Sequence, residues 1–78
     1  MDRKELRQRI GQHPNSVSFD ELAALLDAYG WILDRKGGSH MVFARERETL
    51  VVPYRRPHVL AVYVKHVLRA TEGEDDED

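Results

Sequence analysis

Hydrophobic residues along this chain follow a helical period, switch to alternation in the middle, and return to a helical period near the end. Leu6 and Ile10 stand one helical turn apart, so residues 2–10 predict a short helix with a thin apolar face, and Gly11 is placed to end it. The His13-Pro14-Asn15-Ser16 stretch reads as a loop. The next signal is stronger. Ser18 and Glu21 have the spacing of a capping box, Val17 and Leu22 that of a hydrophobic staple, and Gly30 stands where a helix would end. Between them Phe19, Leu22, Leu25, Leu26 and Tyr29 recur at helical spacing, which predicts a main wall of the core.

From Trp31 the period drops to two. Trp31, Leu33 and Arg35 alternate with Ile32, Asp34 and Lys36, and Gly37-Gly38 offers the positive φ angles of a hairpin turn. A second strand is expected over residues 39–44, then a polar connection over 45–48. A third, over residues 49–52, stops at Pro53, which cannot donate to a sheet ladder. Residues 57–70 are locally ambiguous, because Val59, Val62, Val64 and Val67 are β-branched. Leu60, Val64, Val67 and Thr71 nevertheless form a helical stripe flanked by Tyr63 and Leu68, and the segment is long for a strand, so it reads as a helix. The expected fold is α+β in the order αβββα: a three-stranded antiparallel sheet packed on two helices, preceded by an extra short helix.

Charge divides the chain. Residues 72–78 carry six acidic groups and no basic ones, whereas residues 1–71 carry twelve basic against eight acidic groups, a net of +4. This predicts one folded domain over 1–71 and a solvated, largely disordered acidic tail over 72–78. A basic body suits a polyanionic partner, although small proteins often carry a few excess cations. No cysteine is present, so neither disulfides nor thiolate sites hold the domain together. No apolar run approaches a membrane span, and the charged start does not resemble a secretory signal, so a cytoplasmic protein without membrane contact is expected.

The tetrad Gly38-Ser39-His40-Met41, with Arg35 before it and Val42-Phe43 behind, puts one imidazole beside a tight turn at the start of a predicted strand. Taken alone, such a histidine is more often structural than catalytic. The other candidates are weaker. His58 and His66 are eight apart without a third ligand at helical spacing, so no metal is implied. Ser39 and His40 are neighbours on a strand and point to opposite faces, which argues against a nucleophile and base pair. Trp31, Phe43, Tyr63 and Tyr29 suit core packing better than base stacking, while Tyr54, beside Arg55 and Arg56, is a candidate RNA contact.

The element order, Trp31 after Gly30, the run from Arg35 through Gly38-Ser39-His40 to Phe43, and Leu50-Val51-Val52-Pro53 together resemble the HicA toxin family. The resemblance covers roughly residues 17–70. That family consists of small ribonucleases with a fold like the double-stranded-RNA-binding domain, so the resemblance implies messenger RNA as substrate and a HicB-type antitoxin as partner. It implies further that His40 stands at the catalytic position, with Gly38 and Ser39 matching the residues before it. Three positions depart from the family pattern: Arg55 where many members have histidine, Leu60 where a basic residue is common, and Gly37 in place of a frequent lysine.

The chemistry of the residues agrees with that implication. Histidine is the side chain best suited to accept and return a proton near neutrality. RNA carries its own nucleophile, the 2′-hydroxyl, so one positioned base can serve without a protein nucleophile, metal or cofactor. Arg35, Lys36, Arg55 and Arg56 are the residues expected to hold the phosphate, alongside the Gly38-Ser39 turn. The leading expectation is a metal-independent endoribonuclease toxin that cuts single-stranded messenger RNA with His40 as general base. The alternatives are a non-catalytic RNA-binding module of the same fold, or a protein-interaction domain whose tail docks on a basic partner.

Overall fold

The computed structural model describes residues 2–75. Helix α1 (Arg3–Gln12) begins at Asp2, whose Oδ1 accepts the Glu5 N–H at 2.9 Å. Gly11 lies inside this helix instead of ending it. The loop after it is partly ordered as a 3-10 turn over Pro14–Ser16. Helix α2 (Phe19–Ala28) starts with the expected reciprocal cap: the Glu21 N–H donates to Ser18 Oγ and the Ser18 N–H to Glu21 Oε1, both at 3.1 Å. It ends at Gly30, whose φ of +86° turns the chain so that the Trp31 N–H closes on the Leu26 carbonyl at 2.9 Å.

Strands β1 (Ile32–Gly37), β2 (His40–Arg45) and β3 (Glu48–Pro53) form an antiparallel sheet in the order β1-β2-β3. The β2 and β3 register runs without interruption from His40 opposite Pro53 to Arg45 opposite Glu48. The β1 and β2 register does not. Leu33 lies opposite Phe43, but Arg35 lies opposite Val42, so Asp34 is an extra residue and the strand bulges there. Residues opposite one another share a face. The alternation expected to keep Arg35 beside Trp31 and Leu33 is therefore broken, and Arg35 moves to the other side of the sheet.

Helix α3 (Ala61–Ala70) starts later than the helical stripe suggested. Leu60 is its extended N-cap residue and is exposed, not part of the buried stripe. Before it, Val59 is drawn into the core in extended form, with its N–H donating to the Val17 carbonyl at 2.8 Å. A contact distant in sequence thus overrides the local period.

The core lies between the helices and one sheet face. Ile10 enters from α1, Leu22, Leu25 and Leu26 from α2, Phe43 and Val52 from the sheet, and Val64 and Val67 from α3. The opposite sheet face is open: Ile32 is 69% exposed and Val51 44%, with half-buried Val42 and Ala44 also on that face. Among the described residues no helix is long and apolar enough to cross a membrane.

The acidic run departs from a solvated tail over its first part. Glu74 accepts two hydrogen bonds from Arg45, at 2.9 and 3.1 Å, and Asp75 accepts from Arg3 at 2.8 Å and from the Tyr29 hydroxyl. Residues 76–78 lie outside the described residues. Hydrogen bonding to Arg45 holds the Glu74 carboxyl below the usual carboxylate range. The Tyr29 hydroxyl and Arg3 do the same for Asp75. Burial first, then the bond to Asp75, pushes the Tyr29 hydroxyl up to about 12.

These directions give the clasp a pH window. A lowered carboxyl pKa adds stability above the unfolded value, near 4, that disappears as pH falls through the folded one; a raised tyrosine pKa adds stability below about 10 that disappears as pH rises through about 12. The parent chain is therefore expected to melt above a Glu74→Gln, Asp75→Asn double variant at neutral pH, and the gap to close in strong acid. Equal melting temperatures at neutral pH would show that the clasp does not stabilise the fold.

Candidate functional site

Gly37 pairs with His40 and closes a two-residue turn, Gly38-Ser39. Of the two glycines expected to bend the chain only Gly38 takes positive φ, at +61°, while Gly37 belongs to β1. A Cβ on Gly38 would meet nothing within 4 Å, so the position needs glycine for its backbone angle and not for space. His40 is the first residue of β2 and is exposed. Met41 and Phe43 pack toward the core, which leaves His40 and Val42 on the open face.

The bulge at Asp34 brings Arg35 to that same face, opposite Val42 and diagonal to His40. Such diagonal positions are about 7–8 Å apart, within reach of an arginine side chain. Lys36 lies opposite Met41 and so takes the helix side; it is exposed but does not share the His40 face. At the same end of the sheet the Ser39 carbonyl accepts the Tyr54 N–H at 2.6 Å, and this link brings in Tyr54, Arg55 and Arg56. Arg55 is tied down through Nη1 to the His58 carbonyl at 3.1 Å. Arg56 donates from Nε to the Tyr54 hydroxyl at 2.8 Å, which raises the pKa of its guanidinium further.

The predicted site residues thus gather at one end of the sheet in two groups. Arg35 and His40 occupy the open face beside the Gly38-Ser39 turn, and Arg55 and Arg56 follow the strand that pairs with His40. Trp31 and Phe43 are buried in the core. His58 precedes α3 and only His66 lies on it, edge-on to Tyr63 at 5.7 Å between ring centroids, so the two histidines do not share a helix.

One feature of this end was not anticipated. Phe19 belonged by spacing to the core stripe, yet it is half-buried and packs on Tyr54 with ring centroids 5.1 Å apart. With Ser18, Asp20, Arg55, Arg56 and Pro57 the two rings line a cleft of about 290 Å³. Its only trace in the sequence is that Phe19 is the first helical residue, at the rim of the helix and not in its middle.

An exposed imidazole, an arginine on its face and further guanidinium groups nearby suit proton transfer beside a bound phosphate. The family model described as HicA toxin of bacterial toxin-antitoxin matches residues 19–72. No curated protein and no solved structure matches the chain.

Proposed function

The chain belongs to the HicA family of toxins from bacterial toxin-antitoxin pairs, and we propose that it acts as an endoribonuclease on single-stranded messenger RNA with His40 as general base. The observation that carries this reading is the Asp34 bulge, which places Arg35 on the exposed face that holds His40. The imidazole takes the proton of a 2′-hydroxyl, and that oxygen attacks the adjacent phosphorus. The bond to the 5′-oxygen breaks as that oxygen takes the proton back from the imidazolium, leaving a 2′,3′-cyclic phosphate, a 5′-hydroxyl and neutral His40. Arg35 faces the charge that builds on the phosphoryl oxygens, and the Gly38-Ser39 turn borders the strand entry. Lys36, Arg55 and Arg56 hold phosphates to either side. No step requires a metal, because the nucleophile belongs to the substrate.

Induced expression in a bacterial host tests the class. Growth arrest with loss of RNA integrity is expected for the parent chain and neither for His40→Ala. RNA that stays intact while the parent chain arrests growth would leave a toxin of another kind.

The antitoxin partner of this family member is proposed to be of the HicB type and to cover the open sheet face. The exposed Ile32 and Val51, with Val42 beside them, offer apolar contact next to His40, and Arg35 favours an acidic rim on the partner. His40 is expected to lose solvent exposure in the complex. A structure of the pair with His40 still open would replace occlusion with inhibition from a distance.

A further inference from the structure

The cleft beside the turn has walls of unusual chemistry for so small a domain. Tyr54 is backed by Phe19, which packs in turn on Phe43 of the core at 6.2 Å between centroids, so its ring is held in place from behind. Arg56 spans the phenol, bonded to its hydroxyl and with the guanidinium carbon 5.9 Å from the ring centre. Aromatic rings with an arginine plane form a stacking platform for unpaired bases. Asp20, on the first turn of α2, lines the same cleft. Its carboxylate repels a phosphate but accepts a hydrogen bond from an amino group on a base edge. The Ser18 hydroxyl oxygen and Glu21 Oε1 already accept the backbone N–H groups of the helix cap.

Position connects this cleft to the histidine. Tyr54 follows Pro53, the residue opposite His40, and its N–H is bonded to the residue before His40. Paired backbones of this kind are about 5 Å apart. A strand crossing the open face at His40 reaches the cleft by turning over the end of the sheet, where Arg55 and Arg56 are exposed.

We propose that the cleft formed by Phe19, Tyr54, Arg56 and Asp20 is a nucleobase subsite that takes one unpaired, amino-bearing base next to the phosphate cleaved at His40. The proposal rests on the RNA-cleaving reading for its phosphate and on the cleft alone for its base. It gives a reason for a shallow surface to prefer single strands: a paired base must first be unpaired and unstacked, at a cost of about a few kcal/mol, before it can enter.

The test uses the full chain carrying His40→Ala, so that RNA is bound but not cut. Short fluorescein-labelled single-stranded RNAs and a duplex of equal length serve as probes. Adding Tyr54→Ala is expected to weaken single-strand binding at least about fivefold, the lower end for loss of one stacked base. Tyr54→Phe keeps the ring and should stay within about threefold. Duplex affinity should not change. Unchanged single-strand affinity in a Tyr54→Ala chain that circular dichroism shows to be folded would overturn the subsite.

Should Tyr54→Ala fail to fold, RNAs with 2-aminopurine at each position in turn decide the matter on the His40→Ala chain itself. One position is expected to change its fluorescence on binding, and to do so less with Arg56→Gln; no change at any position overturns the proposal. The two readings separate cleanly. Cleavage that needs His40 but ignores Tyr54 removes the subsite alone, and Tyr54-dependent binding by a parent chain that cuts nothing removes the nuclease alone.

Discussion

Replacing His40 with alanine is expected to slow cleavage of single-stranded RNA by about 10²- to 10⁴-fold while RNA affinity stays nearly unchanged. The two effects separate because in the proposed reaction the imidazole moves a proton, whereas Arg35, Lys36, Arg55 and Arg56 are proposed to supply the phosphate contacts. The purified chain is assayed with excess chelator and with a matched RNA carrying 2′-deoxy at the cut position. Cleavage is expected to survive the chelator and to stop at the deoxy position. Equal cleavage of the deoxy substrate would remove the 2′-oxygen as nucleophile and with it the role given to His40. Arrest by chelator alone would reveal a metal that the proposed chemistry does not use.

Leu26→Ala is the substitution within the core expected to damage folding most clearly, by about 2–5 kcal/mol. Leu26 is fully buried at the end of α2, and its carbonyl accepts the N–H groups of both Tyr29 and Trp31, so its environment has little freedom to collapse. A domain of this length has only about 4–12 kcal/mol in total, and the variant therefore approaches the unfolding threshold. Urea denaturation followed by the fluorescence of buried Trp31 measures the loss. Val62→Ala, at a half-exposed position on the outer side of α3, provides a control expected to stay within about 0.5 kcal/mol. A loss below 1 kcal/mol for Leu26→Ala would mean that the core repacks around the gap.

Local signals in the chain carried much of this architecture. The Ser18 and Glu21 cap, the stop at Gly30 and the turn at Gly38 are decided by groups three or four residues apart, and each appears where the sequence indicates. What was not legible depends on distant partners. Nothing in Ile32-Leu33-Asp34-Arg35 marks Asp34 as the bulged residue; the break exists only against the register of β2. Val59 takes extended form because Val17 accepts its N–H, and Glu74 and Asp75 are held by Arg45, Arg3 and Tyr29, far away along the chain. His40 could be singled out as a candidate from its turn together with the chain's resemblance to a family. The face that it shares with Arg35, and the pairing of Phe19 with Tyr54, required the fold.

The anchoring of the first helix has a consequence for timing. Arg7 donates to the Leu68 carbonyl and the Thr71 hydroxyl, Arg3 reaches Asp75, and Ile10 shares the core with Val64 and Val67. On the ribosome α1 is made before these partners, which follow their arginines by 61 to 72 residues. The β-sheet that carries His40 likewise waits for Val64 and Val67 to help cover its back. A chain halted before Ala61 would display apolar surface on both sides of that sheet, the form in which partly folded proteins aggregate or are degraded. Synthesis therefore has an order in which the histidine emerges before the helix that covers the back of its sheet.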